Sequence, residues 1–309
     1  MYPTILPYKK TLLHVDTLKN GQKVNVYIEC SGNPKGYPVI YLHGGPGDSI
    51  NPHVRRLYNP KKYNIIMFDQ RGCGKSQPSY HTEKNTTQLL ISDMEKIREM
   101  VECQKWLVTG GSWGSSLALL YAQAHPDRTS GLIIRGVYDL SQHDCVKDTI
   151  FKDKKDEMNN LLHIKTKKDS ELYRKTERIL RKPKTNKTRK KLVDLMNEDN
   201  GISIFSKPQK DTTHGKEVIA IIGTHYEKNH YFVPKNTIYK NMYKIKHIPC
   251  YIVNGRYDII TPFHMAYKLK DLFTTCDFKI VKGGHTVMEP EIMIALVKAS
   301  DTFLKKSLV

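Results

Sequence analysis

The 309-residue sequence predicts an α/β protein with a mainly parallel central sheet, helices on both faces and an inserted helical cap. Three observations predict it. Short apolar, β-branched runs recur, each closed by glycine or a polar turn. Several are followed by segments of helical periodicity. Strand signals then vanish between Ser141 and Lys246, where charged, helix-favouring sequence takes over, and they resume at Ile248.

The strands expected in order are Val24 to Glu29, Val39 to His43, Asn64 to Phe68, Trp106 to Thr109, Gly131 to Ile134, Cys250 to Val253 and Phe278 to Val281. Thr87 to Glu102 places Leu90, Met94, Ile97 and Val101 on one helical face, and Ser115 to Ala124 reads as an alanine- and leucine-rich helix. Strands alternating with helices argue for parallel pairing. The short connection between Val24–Glu29 and Val39–His43 predicts that the first strands are antiparallel. A catalytic domain of residues 1–140 and 247–309 is expected, with the helical cap at 141–246. Within it the lysine- and threonine-rich stretch Lys182 to Lys191 reads as a loop.

Gly110-Gly111-Ser112-Trp113-Gly114 matches G-x-S-x-G and falls between a predicted strand and a predicted helix, the setting of a nucleophile elbow. Such a serine sits on a sharp, strained turn that pushes its hydroxyl into the site, and flanking glycines let strand and helix approach closely. The sequence therefore predicts an α/β-hydrolase fold with Ser112 as nucleophile. His43-Gly44-Gly45-Pro46-Gly47 closes an earlier strand and suits an oxyanion hole, in which Gly44 or Gly45 supplies one backbone N–H and Trp113 the other.

Asp258 in Gly255-Arg256-Tyr257-Asp258 and His285 in Gly283-Gly284-His285 each follow a strand, where open α/β sheets place their sites. The order serine, aspartate, histidine is the one this fold uses. His285 is the expected base and Asp258 the acid that orients it. Asp139 is a rival acid, but it follows its strand without a glycine-bounded turn. His43, His225 and His230 suit structural or substrate-lining roles.

Composition excludes several classes. No apolar run reaches the roughly 18–20 residues that cross a bilayer, and the start lacks an apolar signal core, so a soluble, cytoplasmic protein without a membrane partner is expected. The six cysteines lack C-x-x-C spacing, which points to free thiols and no metal. A formal charge of +19 attracts polyanions, but lysines between Lys147 and Lys191 are interleaved with acids such as Asp153, Glu157 and Glu171. No nucleic-acid motif accompanies them, so no specific nucleic-acid partner is expected.

HGGPG at His43 to Gly47, DQRGCGKS at Asp69 to Ser76, NTT at Asn85 to Thr87, GGSWGSSLALLYAQAHPDR from Gly110 to Arg128, GRYD at Gly255 to Asp258 and GGHTVMEPE from Gly283 to Glu291 together resemble the proline iminopeptidases. The resemblance covers somewhat more than half the chain. It implies the triad Ser112, Asp258 and His285, a small peptide substrate and no cofactor. In that family two cap glutamates hold the substrate's α-ammonium. Here Gly223 stands at one of those positions, and Glu198 and Glu227 are the candidate replacements. An esterase or amidase acting on a small molecule without a free amine is the alternative that keeps the triad.

Overall fold

The computed structural model describes residues 1–140, 152–164, 169–197 and 213–307. The middle strands are the most apolar runs of the chain and are buried along their length: β3 (Tyr37–Leu42), β4 (Tyr63–Asp69), β5 (Trp106–Ser112), β6 (Thr129–Val137) and β7 (Cys250–Gly255). Continuous apolar strands are what a sheet covered on both faces requires. With β1 (Pro7–Thr17), β2 (Lys23–Gly32) and β8 (Cys276–Val281) they form one eight-stranded sheet in the order β1-β2-β4-β3-β5-β6-β7-β8. Strands from β3 onward run parallel.

The first strands are antiparallel, but not in the expected pairing. β2 pairs with β1 and β4, and β3 lies on the far side of β4. β1 was not expected from sequence at all. It is an edge strand with alternate residues exposed and only Val15 fully buried, so it carries little apolar signal.

Adjacent residues of each strand feed opposite cores. Ile66, Leu132 and Cys250 face a cluster shared with α1 (Thr87–Met100), α2 (Trp113–Ala124) and α8 (Phe263–Lys270). Ile65, Ile133 and Tyr251 face one shared with α9 (Pro290–Ser307). Leu90, Met94 and Ile97 form the buried stripe of α1, as their spacing predicts.

Between β6 and β7 the described helices are α3 (Lys152–Leu161), α4 (Asp169–Leu180), α5 (Lys187–Asn197), α6 (Thr213–Lys228) and the short α7 (Thr237–Lys240). Leu172, Ile179, Leu192 and Ala220 give them a small apolar core of their own. α6 lies on the loops at the C-terminal edge of the sheet. A Cβ on Gly47 would lie 2.7 Å from the Ile219 Cα, so only glycine admits the helix at that distance. Tyr226 Oη donates to Asn85 Oδ1 at 2.9 Å, His225 Nε2 donates to the Asn85 carbonyl at 2.8 Å, and Thr87 Oγ1 donates to the Tyr231 carbonyl at 2.5 Å. The NTT segment is thus the socket for this helix. No described helix is long and apolar enough to cross a membrane.

Candidate active site

Ser112 ends β5 and caps α2 with φ 56° and ψ −129°, a conformation that L-residues adopt only when the surroundings impose it. The surroundings here are backbone. A Cβ on Gly110 would lie 2.3 Å from the Gly114 carbonyl oxygen, and one on Gly114 would lie 2.2 Å from that of Leu42. Both glycines of the G-x-S-x-G motif are therefore required by strand-helix contact. Ser115 Oγ donates to the Ser112 carbonyl at 2.7 Å and accepts from the Tyr138 N–H at 3.0 Å, which ties the elbow to the end of β6.

Asp258 and His285 meet beyond the ends of β7 and β8. His285 Nδ1 lies 2.9 Å from Asp258 Oδ2 and 3.1 Å from Oδ1. A carboxylate beside Nδ1 places the proton there and leaves Nε2 as the basic atom. The Asp258 side chain also accepts the Thr261 hydroxyl at 2.7 Å and the N–H groups of Ile260 and Thr261 at 3.0 and 2.8 Å. Burial pushes its carboxyl up, but the His285 charge and these hydrogen bonds outweigh it and hold it below the usual carboxylate value. Arg135 Nη1 donates to the His285 carbonyl at 2.6 Å and so fixes the backbone of the same residue.

Gly136 joins Ser112 to this pair. The β5–β6 register shifts between Gly111 and Ser112, which pair with Arg135 and Val137 and leave Gly136 bulged beside the serine at φ 55°. A Cβ on it would lie 2.8 Å from Thr261 Oγ1, 3.4 Å from Asp258 Oδ2 and 3.6 Å from His285 Cε1. Among the described residues no hydrogen bond joins Ser112 Oγ to His285. Such bonds are commonly long in unliganded sites and tighten with substrate.

Gly44 lies alongside Ser112: a Cβ on it would come within 3.2 Å of the serine Cβ and 3.8 Å of its Oγ. Gly45 turns away at φ 102°, where a Cβ would meet the Gly47 nitrogen at 2.5 Å. Trp113 is the first residue of α2, and its N-cap makes no side-chain hydrogen bond, so the first-turn N–H groups point toward the serine unsatisfied by a cap. Gln70 braces both sides. Its N–H donates to His43 Nε2 at 3.0 Å, its amide donates to the His43 carbonyl at 3.0 Å, and its Oε1 accepts the Trp113 indole N–H at 3.0 Å. Arg71, next in the DQRGCG run, makes a buried two-point pair with Asp93 of α1 at 2.6 and 2.7 Å. These residues set the loop geometry that HGGPG alone does not.

The rival acid is engaged elsewhere: Asp139 accepts the Tyr239 hydroxyl at 2.7 Å. His225 is held by Asn85 and His43 by Gln70, as structural roles require. Gly223 faces the oxyanion loop, with a Cβ position 3.6 Å from the Pro46 carbonyl oxygen. Glu227 lies one turn farther along α6. Burial pushes up the phenols of Tyr138 and Tyr231; the Glu227 charge comes next at Tyr138, and at Tyr231 it follows the Tyr138 neighbour. Those phenols hydrogen-bond each other at 2.7 Å, and the Tyr231 ring lies 5.3 Å from that of Trp113. Glu198 lies outside the described residues. Among the described residues no His, Cys, Asp and Glu cluster could hold a metal ion.

Thr261, Gly136, Gln70 and Arg135 had no role in the sequence reading. DQRGCG was visible as a motif, and Thr261 stands three residues after the acid, but neither spacing announces a hydrogen bond.

The α/β-hydrolase fold family model matches residues 37–291. A proline iminopeptidase of Neisseria meningitidis serogroup B is 34% identical over 98% of this chain and 99% of its own. A probable proline iminopeptidase of Leptolyngbya boryana is 36% identical over 98% and 97%, and the Arabidopsis thaliana proline iminopeptidase 34% over 97% and 81%. Among solved structures, a Bacillus anthracis bromoperoxidase superposes with TM-score 0.67 at 19% identity, covering 96% of this chain and all of its own. An Acinetobacter baumannii putative lipase gives 0.63 at 17% identity, over 98% and 92%. At such identity the two structures speak to the fold alone.

Proposed function

The chain belongs to the proline iminopeptidase family of α/β-hydrolases, and from that premise we propose that Ser112, His285 and Asp258 release the N-terminal proline of small peptides. The observation that supports these assignments most is the Asp258–His285 contact beside a strained serine, bridged by Gly136. His285 Nε2 takes the proton of Ser112 Oγ as the oxygen attacks the prolyl carbonyl. The tetrahedral oxyanion is bound by the N–H groups of Gly44 and Trp113, and Gly45 serves to shape the turn. His285 returns the proton to the leaving amine, and water then opens the prolyl-enzyme by the same route. Asp258 stays ionised throughout and stabilises the imidazolium.

Tyr138, half-buried and backed by the buried Tyr231 and Trp113, offers an aromatic wall for the pyrrolidine ring. Its ammonium needs a carboxylate, because an unpaired buried charge binds poorly. Glu227 supplies it, since it is half-buried and its charge is felt by Tyr138 and Tyr231. Glu217 of the same helix is already matched by Arg189 and Lys184 at 2.7 and 2.8 Å. The described cysteines are free, which supports a reducing compartment such as the cytoplasm.

Hydrolysis of proline-naphthylamide and of its N-acetylated form by the purified enzyme tests the reading. Turnover of the free amine alone is expected; equal turnover of both would overturn it.

A further inference from the structure

Away from the site, two cysteines face each other across the sheet. Cys250 opens β7 and Cys276 opens β8, and the two are register partners in a parallel ladder, with side chains on the same face beneath α8. Neighbouring strands lie about 4.8 Å apart, inside the roughly 4.4–6.8 Å Cα range that a disulfide spans. Both cysteines are free thiols, and each is close enough to perturb the other. Cys250 is buried at 2% exposure, whereas Cys276 is partly exposed on the edge strand. The other described cysteines lack this arrangement: Cys30, for instance, faces Ile66 and Lys9 across its ladders.

We infer that Cys250 and Cys276 form an oxidisable dithiol, a modification site at which a hydroperoxide closes a reversible disulfide between β7 and β8. The Cys276 thiolate attacks the outer peroxide oxygen, the O–O bond breaks, and a sulfenic acid forms while the alcohol or water leaves with a proton. The Cys250 sulfur then attacks the sulfenic sulfur, gives up its proton and expels hydroxide as water. Two thiols lose two electrons, and the hydroperoxide is reduced. The neighbouring Cys250 thiol, with help from Lys270, draws the Cys276 thiol down against its burial, which favours it as the attacking member. An edge strand is hydrogen-bonded on one flank only, so β8 shifts to admit the bond more readily than a central strand does. A disulfide strained by the sheet is readily reduced, which makes the site reversible.

The pair opens β7 and β8, whereas Asp258 and His285 follow their far ends, so the cross-link stiffens the strands that carry acid and base without touching either. The test treats the full-length reduced enzyme with hydrogen peroxide, blocks remaining thiols and maps tryptic peptides without reductant. Peptides 247–256 and 271–279 are expected to appear joined and to separate with dithiothreitol. In Cys250→Ser, dimedone is expected to trap Cys276 as its sulfenic acid, and Cys276→Ser is expected to take up no dimedone at Cys250. Unlinked peptides in the oxidised wild type, or Cys276 carried to sulfinic acid with Cys250 still free, would overturn the inference.

Discussion

Asp139 and Asp258 stand just beyond the ends of the adjacent strands β6 and β7, yet only Asp258 meets His285, at 2.9 Å; Asp139 accepts the hydroxyl of Tyr239 instead. Loss of an orienting carboxylate leaves the imidazole in the wrong tautomer and costs roughly 10⁴-fold in turnover. Asp258→Asn should show that loss in kcat. Asp139→Asn should keep most of the activity, and a reversal of the two results would move the acid to β6.

Ser112→Ala and His285→Ala should each reduce kcat by about a million-fold on any substrate, since members of a triad act as a unit. The double variant should be little worse than either single one. Steady-state rates with a contaminant-free preparation decide this, and near wild-type turnover in either variant would remove the residue from the mechanism.

Thr261→Val should impair catalysis through Asp258. The hydroxyl donates to Oδ2 at 2.7 Å, and a hydrogen bond to a charged group contributes about 1.5–3 kcal/mol. Burial alone would raise Asp258; the His285 charge and the hydrogen bonds of His285 and Thr261 hold it below its ordinary value of 3.8. A depressed carboxylate adds stability above the unfolded value, and this is lost as pH falls through the folded one. Removing the hydroxyl lifts the folded value toward the unfolded one, so the variant holds less of this stability at neutral pH and its acid transition should fall at higher pH. Acid titration of the variant followed by circular dichroism checks the direction, and an unshifted transition would exclude the role.

Gly136→Ala should destabilise and slow the enzyme together. Alanine at φ 55° costs roughly 1–3 kcal/mol, and its Cβ would press to 2.8 Å from Thr261 Oγ1 beside His285. The measurement is kcat against Tm. A lower Tm with unchanged kcat would mean that the bulge serves folding alone.

The fold was legible, and the residues of the proposed triad could be named, because both readings rest on local backbone demands. G-x-S-x-G is written by strand-helix contact, and Asp258 and His285 follow glycine-bounded apolar strands. What escaped was long-range or weakly patterned. β1 shows little apolar signal because its edge position leaves most of it exposed. Gln70, Arg135 and Thr261 are polar residues whose partners lie far along the chain or on a turn that the sequence does not draw. The pairing of β2 with β4 instead of β3 is a matter of sheet order, and a short connection does not dictate it.

The proposed substrate recognition by the helices between β6 and β7 had the least signature, because one carboxylate on an amphipathic helix resembles any other. Glu217, ten residues earlier on α6, is engaged by Arg189 and Lys184. The charge of Glu227 falls on Tyr138 and Tyr231, next to Trp113. If it holds the prolyl ammonium, Glu227→Gln removes a charged hydrogen bond worth about 1.5–3 kcal/mol, or roughly 10- to 100-fold in kcat/KM for proline-naphthylamide. A short-chain nitrophenyl ester carries no ammonium, so its hydrolysis should change by less than about two-fold, because the Ser112 machinery is untouched. The difference between wild type and variant should also shrink as salt is raised, since the half-buried pair in the wild type is partly screened. Equal losses on both substrates would mean that Glu227 supports the aromatic wall, and no loss on either would assign the ammonium to a different group.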